Sequence, residues 1–143
     1  GVAIIKVGAP TEAEMIEKRH RIEDALEAVR AAQQEGIVPG GGVALIRALP
    51  KKSGSPAERI VYEAVKEPIR QMARNSGESP DLILEQVQRA KGNRGYNFAT
   101  GKMGDLLEEG VIDPVKVTIT ALTMAASAAG TLLTTGYAIV EGE

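Results

Sequence analysis

Apolar side chains at Ile22, Ala25, Leu26, Val29 and Ala32 recur at helical spacing and form one stripe. Ahead of them, "TEAE" (Thr11–Glu14) has capping-box spacing, with the Thr11 hydroxyl placed to take an orphan amide and Glu14 to reach back. Gly36 is a natural stop. Glu14–Lys18 and Glu17–Arg21 are spaced one turn apart with the acid first, the favourable order, worth roughly 0.2–0.5 kcal/mol each. The pattern predicts a long helix over 11–35 with one buried face. Before it, "GVAIIKVG" (Gly1–Gly8) is β-branched, short and bounded by glycines, which predicts a strand.

Beyond Gly36 the predicted elements are shorter. Val43–Leu49 reads as an apolar helix ending at Pro50, and "KKSGS" (Lys51–Ser55) as a polar loop. "SPAE" (Ser55–Glu58) opens another helix with Pro56 in the first turn, where its missing N–H costs nothing. Pro68 interrupts this pattern, placing a break at Glu67 and a new helix from Pro68 to about Asn75. "SPD" (Ser79–Asp81) caps a helix through about Ala90, and the Gly- and Asn-rich stretch Lys91–Gly104 predicts a short hairpin. Met103–Glu109 is expected to be a short helical turn. Asp113-Pro114 then caps an uncharged helix to about Thr135, and "YAIVE" (Tyr137–Glu141) closes as a strand. Terminal strands without evident partners imply pairing with a segment outside this sequence, and a start in mid-strand without Met suggests a fragment.

Composition narrows the chemistry. With 143 residues and 43% hydrophobic side chains the chain is globular, but only 3% are aromatic and none is tryptophan, so the core must be aliphatic. The absence of cysteine and the single histidine exclude disulfides and Cys/His zinc sites. His20, inside "EKRHRIED", reads as a solvated helix residue rather than a catalyst. A net charge of -2 gives no general reason to expect nucleic acid, and Arg89, Lys91 and Arg94 read as a solvated basic patch. "GVAIIKVG" is too short for a secretory signal. Val117–Val140 carries no charge over a length that exceeds the roughly 20 residues a bilayer requires. Its six threonines, one serine and two glycines favour a buried helix followed by a strand instead.

The stretch "GIVPGGGVALIRAL" (Gly36–Leu49) poses the functional question. It lacks the Lys-Ser or Lys-Thr of a P-loop, and Leu45 stands where a dinucleotide fingerprint has its third glycine. Two readings stay open: a hinge, or bare backbone exposed to a phosphate or ribose oxygen. "GYNFATGKMG" also fails the P-loop spacing, and Met103 replaces the hydroxyl residue, which leaves a hairpin anchored by Tyr96 and Phe98. Asp24 points away from the apolar stripe and is a poor helix interior residue, by a few tenths of a kcal/mol. It suits either a solvated face or the orientation of a water in phosphoryl transfer. Asp113 has an evident structural role as the cap of the last long helix, worth roughly 1 kcal/mol.

The order of these motifs is more informative than any one of them. "RIEDAL", "VPGGGVAL" and "GVIDPVKVT", in that succession, closely resemble the C-terminal part of group I chaperonins, the GroEL/Hsp60 family. The resemblance spans essentially the whole chain, strongest over 1–49 and 95–135 and looser over 50–94. It implies a mainly α, multihelical half of an equatorial domain with short terminal β-strands and one long intermediate-domain helix. Residues 1–35 would be the intermediate-domain strand and helix, and 36–143 the C-terminal half of the ATP-binding equatorial domain.

The resemblance also implies residue roles. Asp24 would position the water that attacks ATP. Gly41, flanked by Gly40 and Gly42, would contact the ribose. Asn97, Phe98 and Ala99 would lie beside adenine, although Phe98 stands where the family more often has a small residue. Val111 would line the base, and Asp113 would bind the ribose. ATP with Mg²⁺ would be the cofactor, yet the family's phosphate-gripping loop and Asp-Gly-Thr-Thr segment are not in this sequence, so no metal ligand is assigned here. The implied partners are other subunits of a ring, with a co-chaperonin and unfolded polypeptides reached through an apical domain; nucleic acid and membrane are not among them. The implied location is the bacterial cytoplasm or an organellar matrix. On this reading the isolated polypeptide neither hydrolyses ATP nor refolds clients. The alternative is a stand-alone helical assembly or scaffolding module without nucleotide chemistry.

Overall fold

A computed structural model describes residues 1–50, 54–137 and 139. The loop expected at Lys51–Ser55 and the strand expected at Tyr137–Glu141 lie largely outside the described residues. Six helices and two small two-stranded sheets are present among those described, a mainly α fold. Two compact bodies form: Gly1–Gly36 with Pro114–Glu143, and Ile37–Asp113. The sequence reading divides the chain once, after residue 35. The bodies divide it at Gly36–Ile37 and again at Asp113–Pro114, so the last long helix shares a body with the first.

In the first body, α1 (Glu12–Glu35) begins where the Thr11 hydroxyl accepts the Glu14 amide at 3.3 Å. It ends at Gly36, whose φ of 85° only glycine adopts freely and whose N–H donates to the Ala32 carbonyl at 2.8 Å. Glu17 and Arg21 pair as expected, but Lys18 donates to the Gly8 carbonyl at 3.1 Å rather than pairing with Glu14. An exposed ion pair is worth so little that a nearby carbonyl competes with it. Residues 1–9 form no strand: the described residues of this body offer no neighbouring strand, and an unpaired strand is not stable alone.

Helix α6 (Val115–Thr134) packs beside α1, where Lys116 Nζ donates to Gln34 Oε1 at 2.5 Å and the Val115 amide to the Gly36 carbonyl at 3.1 Å. Two expectations fail here. The α1 stripe is not buried, with Leu26 and Val29 at 44% and 56% exposure, and α6 has no buried residue. A pair of helices gives each only one neighbour, too few to cover an apolar face. At 20 residues and a mean hydropathy of 1.5, α6 is by length and composition apolar enough to cross a bilayer. Four of its five threonines turn inward: the hydroxyls of Thr118, Thr123, Thr131 and Thr134, like that of the cap residue Thr135, each donate to the carbonyl one turn back. Asp113 does not cap this helix. Pro114 occupies the cap position, and Asp113 lies in the strand before it.

The second body holds the core. Strand β1 (Ile37–Pro39) pairs with β4 (Ile112–Pro114), and α2 (Val43–Ala48) follows the glycine loop. Helix α3 (Pro56–Ala64) starts with a complete capping box, the Ser55 hydroxyl accepting the Glu58 amide and the Glu58 carboxylate accepting the Ser55 amide. Helix α4 (Glu67–Asn75) begins one residue before Pro68, because proline is tolerated in a first turn. Helix α5 (Pro80–Arg89) leads into a hairpin of β2 (Arg94–Asn97) and β3 (Lys102–Asp105), in the register Arg94↔Asp105 to Asn97↔Lys102. Met103 to Asp105 are therefore strand, and only the residues after them turn; pairing with β2 overrides the local helical pattern. Val43, Ile46, Ile69, Ala73, Ile83, Leu84, Val87, Tyr96 and Leu106 form one buried cluster. Fully burying each large aliphatic residue among them contributes about 1.5–3 kcal/mol.

Candidate functional site

The three glycines between β1 and α2 sit in a tight fold of the second body, and each is bare for its own reason. The Gly40 amide donates to the Val111 carbonyl at 2.9 Å, and a Cβ on Gly40 would lie 3.3 Å from the Val111 side chain and from the Ile112 nitrogen. A Cβ on Gly42 would lie 3.3 Å from Ile69 and from the Met72 methyl, at a φ of 73°. The protein itself therefore packs against both outer glycines. Gly41 is different: its φ of 64° favours glycine, yet its nearest neighbours, the Tyr96 carbonyl and a Leu106 methyl, would stand 3.5 and 3.8 Å from a Cβ. Its neighbours stand at ordinary van der Waals distance rather than at the tighter approach found at the flanking glycines.

Two other segments meet this loop. Val111, held to the Leu106 carbonyl through its amide at 2.7 Å, packs partly buried against the core. Two residues on, in β4, lies Asp113, half-buried, with its carboxyl raised above the ordinary aspartate range by burial. Tyr96, whose carbonyl Gly41 faces, leads into the turn that carries Asn97, Phe98 and Ala99. Asn97 is buried and its amide is engaged, Nδ2 donating to Glu109 Oε2 at 2.6 Å and Oδ1 accepting the Ala99 amide at 3.0 Å. The Glu109 carboxylate fills the place a Cβ on Gly104 would take. The Phe98 ring meets the Tyr96 ring edge-on, centroids 5.0 Å apart, and packs against the core, while Ala99 is exposed. The Tyr96 hydroxyl donates to Glu78 Oε1 at 3.0 Å, and burial first, then that carboxylate, holds the phenol above its ordinary range.

Gly40, Gly41, Gly42, Asn97, Phe98, Ala99, Val111 and Asp113 thus all belong to the second body, and the glycine loop touches both the Val111 and the Tyr96 segments. Asp24 belongs to the first body, exposed on α1, where it forms no ion pair among the described residues. The half-buried Asp113 carboxylate, in the strand whose lead-in Val111 bonds to the glycine loop, is a group that can accept hydrogen bonds from a polyol such as ribose. A divalent cation is not matched in the same way. Among the described residues no group of three His, Asp or Glu converges to hold one, so these residues do not make a magnesium site by themselves.

Sequence reasoning missed two contributors to this geometry. Arg47, the lone charge in the apolar run "VALIRAL", ties together three backbone segments. Glu109, which secures Asn97, has no local signature, because its partner is twelve residues away. The family model of the TCP-1/cpn60 chaperonin family matches residues 1–143, the full length of the sequence.

Proposed function

The chain belongs to the TCP-1/cpn60 chaperonin family, and from that premise we propose that it supplies the nucleoside-facing side of a chaperonin ATP site. Chaperonin function follows from the family; the finer division of labour is the proposal. The observation that supports it is the junction in the second body, where Gly41 faces the Tyr96 carbonyl and the adjacent Gly40 is hydrogen-bonded to Val111, two residues before Asp113. Gly41 receives the ribose, Asp113 accepts its hydroxyls, and Val111 with the Asn97–Ala99 turn lines the base. Asn97, its amide already engaged, shapes that turn rather than reading the base. Asp24 orients the attacking water. When bound, Mg²⁺ supplies charge neutralisation on the phosphates, held by groups outside these 143 residues. Group I membership, assembly into a ring, and the handling of unfolded polypeptides with a co-chaperonin complete the reading.

Calorimetric titration with ADP and ATP tests it. The 143-residue chain alone binds at about millimolar affinity or weaker, because the triphosphate and metal contacts that supply most of the stabilisation are elsewhere. Adding the complementary half of the subunit restores binding, and Asp113→Asn abolishes the restoration. Tight, Mg²⁺-dependent ATP binding by the chain alone overturns the proposal. The exposed apolar faces of α1 and α6 favour a second reading, a helical assembly module without nucleotide chemistry. That reading holds if the complementary half associates with the chain and the complex still binds no nucleotide.

A further inference from the structure

Arg47 lies on α2, one turn beyond Val43, and forms no salt bridge among the described residues. Its guanidinium is instead spent on main-chain carbonyls. Nη1 donates to Val87 at 2.8 Å, Nη2 to Arg94 at 2.9 Å and Nε to Gly92 at 3.1 Å. The Val87 carbonyl is among the last four of α5, which have no partner within the helix. Gly92 belongs to the connection after α5, and Arg94 is the first residue of β2. Three carbonyls from three places, 40 to 47 residues away in sequence, converge on one planar cation. Only arginine offers several donors in a fixed fork; an ammonium is a compact point charge that cannot reproduce it.

The same helix meets the same strand once more. Val43 packs so closely over Gly95 that a Cβ there would overlap its Cγ2. Helix α2 is therefore fastened to β2 at both of its turns, by packing at Val43 and by charge-assisted hydrogen bonds at Arg47. Both fastenings follow directly on the place where Gly41 faces the Tyr96 carbonyl, in the order Val43 over Gly95 and then Arg47 to Arg94. The glycine loop is the lead-in to α2, and the Asn97–Ala99 turn is the continuation of β2. The placement of these two segments depends on how α2 sits on β2.

We infer that Arg47 is a positioning residue: by pinning α5, the 90–93 connection and β2 to α2, it fixes how the ribose-side glycine loop is placed against the base-side turn. This rests on the nucleotide reading above. A residue that only stabilised the fold would affect all ligands alike. A residue that sets this placement affects ligands carrying a nucleoside and spares those that carry only phosphates.

The test uses the complete, assembled chaperonin containing this segment, with Arg47→Met and Arg47→Lys, ring integrity being followed by light scattering. Both variants raise KM for ATP about tenfold and leave kcat within about twofold, the pattern of lost ground-state binding. Inhibition by tripolyphosphate stays at the wild-type value, and the preference for ATP over GTP falls. An unchanged ATP KM in intact rings, or an equal loss of ATP and tripolyphosphate binding, overturns the inference. Asp113→Asn is measured in parallel. If it raises the ATP KM while the Arg47 variants do not, the inference alone fails; if neither changes it, the nucleotide reading fails and the inference with it. Should both Arg47 variants fail to assemble, hydrogen exchange on the unaltered chaperonin decides. Saturating ADP protects the amides of residues 40–43 and 94–97 together, and protection of one stretch without the other overturns the coupling.

Discussion

Gly95→Ala is the sharpest probe of how α2 and β2 fit together. Gly95 does not have the left-handed φ that excludes side chains, so the backbone itself accepts alanine. The surroundings do not. A Cβ at this position would overlap Val43 Cγ2 and stand 2.6 Å from Leu106 Cδ1, and both of those side chains are completely buried. Neither has empty space to retreat into, since interiors pack at crystal-like density. Overpacking of this kind costs about 1–3 kcal/mol, and two simultaneous overlaps place Gly95→Ala toward the upper end. Val43→Ala alone removes two buried carbons at about 0.8 kcal/mol each, and the cavity raises the loss to about 2 kcal/mol. In the double variant the new methyl occupies part of the space vacated by valine, so the combined loss falls short of the sum by about 1 kcal/mol or more. Urea unfolding followed by tyrosine fluorescence reads this body well, because Tyr62 and Tyr96 belong to it and the chain has no tryptophan. With a slope of about 1–3 kcal/mol per molar urea, the single substitution lowers the midpoint by about 1–3 M. Additivity to within about 0.5 kcal/mol would refute the shared space.

Three further outcomes follow from named contacts. Ser55→Ala removes the hydroxyl that accepts the Glu58 amide and lowers thermal stability by about 1 kcal/mol, whereas Ser55→Asp retains most of it. Asp113→Asn stabilises the ligand-free protein at neutral pH: burial raises the folded-state pKa of the carboxyl, so its favourable contribution exists below the unfolded pKa and is lost as pH rises through the folded one. Paired denaturation curves should show the advantage of asparagine shrinking as the pH falls into the carboxylate range, and an advantage independent of pH would contradict the burial. Tyr96 ionises above the ordinary phenol range in spectrophotometric titration, and Glu78→Gln lowers its pKa part of the way back by removing the neighbouring charge.

Local punctuation was legible in the sequence wherever a single residue type carries the physics. Thr11 and Gly36 bracket α1, Ser55 with Glu58 opens α3, and the Gly- and Asn-rich stretch after Lys91 closes the β2–β3 hairpin. Long-range effects were not legible. Asp-Pro is as good a start for a helix as an end for a strand, and the pairing of β4 with β1, more than seventy residues earlier, assigns Asp113 to the strand. Periodicity at Ile22–Ala32 reveals that one face is apolar without saying what covers it, and within its own body only α6 does so, partially. For the candidate site, the triple glycine was legible as a special stretch of backbone, and the structure gives it a packing role. Its explanation is split: Gly40 and Gly42 are small because Val111 and Ile69 press on them, whereas Gly41 is less tightly approached and is favoured by its left-handed φ. Arg47 escaped notice because its partners are backbone atoms, which leave no trace in residue identity.

A neighbour laid against α6 would touch methyl groups where the residue names promise alcohols. With their protons handed to the helix's own carbonyls, Thr118, Thr123, Thr131 and Thr134 lose few water contacts on being covered, so the dehydration penalty of such a surface is far smaller than its formula implies. Along this helix, covering leaves only the hydroxyls of Thr120 and Ser127 in want of a new partner, alongside the Lys116 ammonium at its first turn.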